Sequence, residues 1–212
     1  MPVAWRSTDA RTWFAAVLPF GAEGGATGVT AIGGSLIAVG PGAPQELIWR
    51  STDAGVTWGL VPATVAGVDP AFRLHDIATG RGVVVAIGSS MAGPRDPSVV
   101  VRSIDGGSTW ATAVGADGLD SGHHPARLAA GMSGFTIATS GPGGRSVVLR
   151  STNGDLWQKL DLRAVPGIDR VDDVATHPSG RTVLFGRSTD GSWSAWTWPT
   201  GPTPPPTHVP SD

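Results

Sequence analysis

The chain has 212 residues, 40% of them hydrophobic, a net charge of −2, and neither cysteine nor tyrosine. Such a length suits one domain or one array of repeats; scattered basic residues exclude nucleic-acid binding through a basic patch, and the missing cysteine excludes disulfides, thiolate metal sites and a thiol nucleophile. Glycine (31) and proline (18) are enriched beside that apolar content, which fits an ordered, turn-rich fold.

No apolar run approaches the ~20 residues that span a bilayer, so no membrane insertion is expected. The N-terminus, MPVAWRSTDARTW, has no basic stretch followed by an apolar core, and no signal peptide is read there. As written the chain suits the cytoplasm. A start inside a longer protein would suit an extracytoplasmic setting, so the compartment stays open.

Residues 3–18 predict two strands around STDARTW. The first whole unit follows, with TAIGGSLIAVG as a strand pair and STDAGVTW ahead of the unit's last strand. The second unit reads as four strands, LHDIAT, VVVAIGSS, SVVVRS and TWATAV, rich in Val, Ile, Thr and Trp and bounded by Gly, Pro, Ser and Asp. The third repeats this around STNGDLW. Residues 170–198 supply three strands of a fourth unit, the last being SAWTW, with no fourth strand read. The N-terminal strand is a candidate to complete that unit and close a ring. Residues 200–212, proline-rich, read as an extended, mobile tail.

Two columns carry one period. The tryptophans Trp13, Trp58, Trp110 and Trp157 lie 45, 52 and 47 residues apart, and Ala31, Ala78, Ala129 and Ala175 lie 47, 51 and 46 apart. Short strands repeating every ~40–50 residues predict the blades of a β-propeller. The expected fold is all-β, with four-stranded antiparallel blades at four to five blade positions over residues 1–199. The ring is either incomplete, with self-association through its open ends, or closed by the N-terminal hairpin.

The pattern Ser-x-Asp-x-Gly-x-Thr-Trp recurs. Full copies are Ser51, Asp53, Gly55 and Trp58, and Ser103, Asp105, Gly107 and Trp110; shortened ones are Ser7, Asp9 and Trp13, and Ser151, Asn153 and Trp157. An aspartate here accepts backbone N–H groups, as in Asx-turns. The glycine supplies positive φ. The tryptophan buries apolar surface worth ~2–3 kcal/mol at ~25 cal/mol per Å². A similar stretch, RSTDGSW (Arg187 to Trp193), follows the second strand of the last unit and reads as a hairpin outside the series.

This pattern resembles the Asp-box, or BNR repeat, of sialidases, sortilin-like receptors, some endoglucanases and photosystem II assembly-factor-like propellers. The resemblance implies a β-propeller with the boxes on the blade periphery, away from any central site. Catalysis needs a few groups converging on one pocket, which a group repeated in every blade does not provide. The resemblance to sialidases also implies a Tyr–Glu nucleophile pair, an Asp acid/base and three arginines. This chain has no tyrosine, and its two glutamates, Glu23 and Glu46, fall in loops.

Candidate functional residues therefore lie at the start of each innermost strand. Arg73, His124 and Arg170 share one column, and Asp76, Arg127 and Asp173 share another. They form either a salt-bridged ring between blades or a site for an anionic or sugar-like ligand held by arginine forks. Asp76 and Asp173, with Asp172 as a substitute, are the pair a two-carboxylate glycosidase would need. Asp69, Asp117, Asp120 and Asp169 recur just before these strands. His123 and His124 with Asp117 or Asp120 are the one metal arrangement to weigh; adjacent histidines on a strand face opposite ways. No metal and no cofactor is expected. The reading from sequence is a non-enzymatic propeller that recognises a protein or a carbohydrate, with a degenerate glycoside hydrolase or a piece of one as the alternative.

Overall fold

The computed structural model describes residues 2–19, 25–41, 47–61, 65–66, 72–90, 98–113, 124–140, 146–177, 180–198 and 207–210. For 47, 65–66, 90, 124–126, 140, 164, 198 and 207–210 only the backbone is described.

The chain begins with a hairpin, β1 (Val3–Arg6) and β2 (Phe14–Val17), which forms its own two-stranded sheet. The first blade is β3 (Gly28–Ile32), β4 (Ser35–Gly40), β5 (Leu47–Ser51) and β6 (Gly59–Val61). A two-residue strand, β7 (Val65–Ala66), lies parallel to the outer edge of the second blade. That blade is β8 (Phe72–Gly80), β9 (Val83–Ser90), β10 (Ser98–Ser103) and β11 (Trp110–Thr112). The third is β12 (His124–Gly131), β13 (Gly134–Ser140), β14 (Ser146–Ser151) and β15 (Gln158–Leu160). A 3₁₀ turn at Leu162–Ala164, capped by the Asp161 side chain, leads into β16 (Ile168–Thr176), β17 (Thr182–Ser188), β18 (Trp193–Trp198) and β19 (Thr207–Pro210).

The N-terminal hairpin does not complete the fourth blade. Residues 207–210 of the proline-rich tail pair with β18 instead, so that blade has a fourth strand which SAWTW did not announce. Among the described residues no sheet closes on itself.

The innermost strands β3, β8, β12 and β16 pack side by side in that order. Among the described residues, β16 does not pack against β3 in the same way. Each seam between blades is an apolar layer. Ile37, Val39 and Ile48 of the first blade meet Val101 and Trp110 of the second. Val85, Ile87 and Val100 meet Ile137, Leu149 and Trp157 of the third. Ala138 and Val148 meet Val171, Leu184 and the fully buried Trp196 of the fourth. The hairpin belongs to this series: Ala4 and Leu18 pack on Trp49 of the first blade, and the Trp49 indole N–H donates to the Pro19 carbonyl at 2.8 Å. It therefore occupies the place of the blade before the first, with two strands instead of four.

Candidate functional site

The recurring serine–aspartate turns join β1 to β2 and the third and fourth strands of the first three blades, and their hydrogen bonds explain the serine, aspartate, glycine and threonine of the pattern. Asp53 accepts from the Thr57 N–H at 2.9 Å and from the Thr57 hydroxyl at 2.6 Å. Ser51 donates to Asp53 at 2.8 Å while accepting from the Gly55 N–H, also at 2.8 Å. Ser103, Asp105, Gly107 and Thr109 repeat this set. Asp9 accepts the N–H groups of Arg11 and Thr12. Asn153 accepts those of Asp155 and Leu156, so an amide oxygen serves the turn as well.

Accepting so many donors favours the charged form of a carboxylate. The Thr12 N–H holds Asp9 down from 3.8 to about 2, the Thr57 hydroxyl does the same for Asp53, and the Thr109 hydroxyl for Asp105. A carboxylate spent on its own turn has no role as an acid near neutral pH.

RSTDGSW forms the same kind of turn between β17 and β18, at the opposite end of its blade from the others. Asp190 takes a short hydrogen bond from Ser188 and one from the Ser192 N–H, and is likewise pushed down to about 2. Arg187 stacks its guanidinium 4.2 Å from the Trp193 ring. The hairpin reading of this stretch holds.

A further column, not read from the sequence, carries the seams. An arginine stands directly before each turn serine: Arg6, Arg50, Arg102 and Arg150. Arg50 reaches the Ser108 hydroxyl of the next blade at 3.4 Å, and Arg102 forms a 2.9 Å ion pair with Asp155 of the next. The segment after β18, PTGPTPPP (199–206), carries no acid in its sequence. Arg150 accordingly has no ion-pair partner among the described residues, and burial pushes its pKa down. The signal was visible as the shared Arg–Ser of WRST, WRST, VRSI and LRST.

The candidate ring at the start of the inner strands is brought together in part. Asp76 sits at a bulge of β8 and accepts the Ile77 N–H at 2.8 Å and, across the seam, the Leu128 N–H at 2.9 Å. Asp173 sits at the matching bulge of β16, accepts the Val174 N–H at 2.8 Å, and faces Arg127 of the preceding blade at 3.6 Å. Arg170 is turned to Asp172 of its own strand at 2.7 Å. Arg73 is exposed, with no ion-pair partner among the described residues. Glu23, Glu46, Asp69, Asp117, Asp120 and His123, and the side chain of His124, lie outside the described residues. Among the described residues there is no group of three metal-ligating side chains.

A concavity of about 750 Å³ lies at the other end of the inner strands, lined by Thr79, Gly80, Arg81, Ala130, Gly131, Met132 and Thr176. Arg81 holds a left-handed φ of 54° there. No helix of the described residues is long and apolar enough to cross a membrane.

No protein-family model and no curated protein sequence matches the chain. Solved structures do. YCF48 bound to a D1 peptide superposes with a TM-score of 0.57 at 18% identity, over 87% of this chain and 53% of that one. The Hadza microbial sialidase Hz136 gives 0.64 at 16%, over 92% and 49%, and Trypanosoma rangeli sialidase 0.58 at 16%, over 91% and 41%. The chain spans about half the length of these three structures, or less. Its strand order, its repeated seams and these superpositions agree: the chain has the β-propeller fold found in sialidases and in the photosystem II assembly factor YCF48.

Proposed function

We propose that the chain is a non-enzymatic recognition propeller whose turns are Asp-boxes and whose ligand, a protein segment, docks at the channel mouth where the inner strands begin. One observation carries this reading. The carboxylates best placed for glycoside chemistry, Asp76 and Asp173, are engaged with backbone N–H groups and Arg127 at the seams. A hydrolase needs one acid poised to give a proton and one base or nucleophile free to act. Arg73 is left at the mouth as an exposed cation, suited to a carboxylate on a partner. YCF48, which shares the fold, was solved with a peptide bound.

Carbohydrate recognition or a degenerate glycosidase is the second reading, supported by the sialidase likeness. The chain's lack of tyrosine argues against a tyrosine nucleophile from these residues. Immobilised peptide and glycan arrays, probed with wild type and Arg73→Glu, separate the two. Capture of acidic peptides that falls at least about tenfold in Arg73→Glu, with an unchanged melting temperature, supports the proposal. Glycan capture, or turnover of a fluorogenic sialoside, overturns it.

A further inference from the structure

The two ends of the blade series expose what every internal seam buries. The residue just before the seam arginine is Trp5, Trp49, Val101 or Leu149. In the first three blades it packs against the blade or hairpin before it and is 0%, 0% and 1% exposed. Trp5, in the hairpin, is 62% exposed. The tryptophan that closes each turn behaves alike: Trp110 and Trp157 are buried against the preceding blade, whereas Trp13 is 54% exposed. Val3 and Val17, paired across β1 and β2 on the same face as Trp5, are exposed with them. Ala4 and Ala16, on the other face, point toward the first blade. The hairpin thus presents an apolar face of the kind that elsewhere docks on a neighbouring blade.

The fourth blade presents the matching surface. Phe185 faces Asp173 across β16 and β17, as Ile87 faces Asp76 across β8 and β9. Ile87 is fully buried against the third blade; Phe185, in the last described blade, is 41% exposed. Leu184, one residue back, points inward to the third blade and is fully buried.

We propose that these two surfaces meet between copies of the chain: the Trp5–Trp13–Val17 face of one molecule docks head-to-tail on the Phe185 face of a second. The argument for a second copy is continuity with an established interface. The same seam recurs four times within the chain, from the hairpin to the fourth blade, and each molecule carries both unmatched halves. Exposed contiguous apolar surface of this kind marks an interaction site. A head-to-tail contact is heterologous, so it uses different residues on the two partners.

Sedimentation of the full chain tests this, alongside Trp5→Ser/Trp13→Ser and Phe185→Asp, each first shown folded by its melting curve. Wild type is expected to sediment at twice the 21.6 kDa monomer mass or more, with a concentration-dependent blue shift of tryptophan emission. Each variant is expected to weaken association at least about tenfold. Mixing the two variants is expected to restore one heterodimeric contact, because each retains the half the other lost. A wild-type monomer at high micromolar concentration overturns the proposal, as it would if some other strands normally cover the face. Association unaffected by both substitutions, or a mixture that stays monomeric, overturns it as well.

Discussion

Arg102 and Asp155 belong to neighbouring blades, and guanidinium and carboxylate meet at 2.9 Å with both side chains about three-quarters buried. Arg150 holds the same place one blade later and has no such partner among the described residues. Removing the two arginines should have opposite effects. Arg102→Met is expected to destabilise by about 1 kcal/mol, since it removes the cation facing a partly buried carboxylate. Arg150→Met is expected to be neutral or stabilising, because it removes a desolvated, uncompensated charge. Urea unfolding of the two single variants reads the contrast.

Gly107 lets the seam between the first and second blades close. It adopts φ 86°, and a Cβ added there would collide with the end of the Ile37 side chain of the preceding blade. Gly107→Ala is expected to cost about 2 kcal/mol, from strain and overpacking together. Gly33 has φ 53° with open space around it, so Gly33→Ala carries only the conformational part, about 1 kcal/mol. Adding Ile37→Val to Gly107→Ala should recover part of the loss, and melting temperatures across the set check this.

Ser51 is buried and bridges Asp53 to the Gly55 N–H. Ser51→Ala leaves that buried N–H without its acceptor and is expected to cost about 1–2 kcal/mol. Ser7 makes related bonds in an exposed turn, where water replaces them. Ser7→Ala is expected to shift the melting temperature by no more than a degree or two. Equal losses from both would contradict this account.

Acid should loosen the turns. Asp9, Asp53, Asp105 and Asp190 are held at about 2 in the folded chain, below the ordinary 3.8. A lowered folded-state pKa means stability that is present above the unfolded value and lost as pH falls through the folded one. Stability should therefore hold down to about pH 4 and fall steeply toward pH 2. Asp53→Asn with Asp105→Asn should flatten that fall, since the amide cannot be protonated there, as Asn153 already illustrates. Denaturant midpoints at successive pH values give the slope.

The architecture was legible because seams and turns impose a repeat: Trp110 and Trp157 fill equivalent places against the preceding blade, and Gly55 and Gly107 hold equivalent positive φ in their turns. The strand VVVAIGSS corresponds to β9 and SVVVRS to β10 residue for residue. The fourth strand of the last blade was not legible, because THVP carries no tryptophan anchor and follows a proline run that argues against a strand. The candidate site was legible only as columns. Spacing placed Asp76 and Asp173 in equivalent positions, yet it could not reveal that bulges turn their carboxylates toward backbone N–H groups. The arginine column is written four times in the sequence, but its meaning lies in the following blade and not in its own.

Every seam in this molecule joins a blade only to the one before and the one after. Such an array behaves as a line of coupled elements, whose energy is a sum of units and nearest-neighbour terms. The second blade is clasped on both sides, while the hairpin and the fourth blade are each held on one side alone. Opening should start at the two ends and travel inward, so amides of β9 and β10 should exchange last and those of β1 and β18 first. Anything that caps an end would slow exchange along the whole line, which gives a distant contact a way to be felt in blades it never touches.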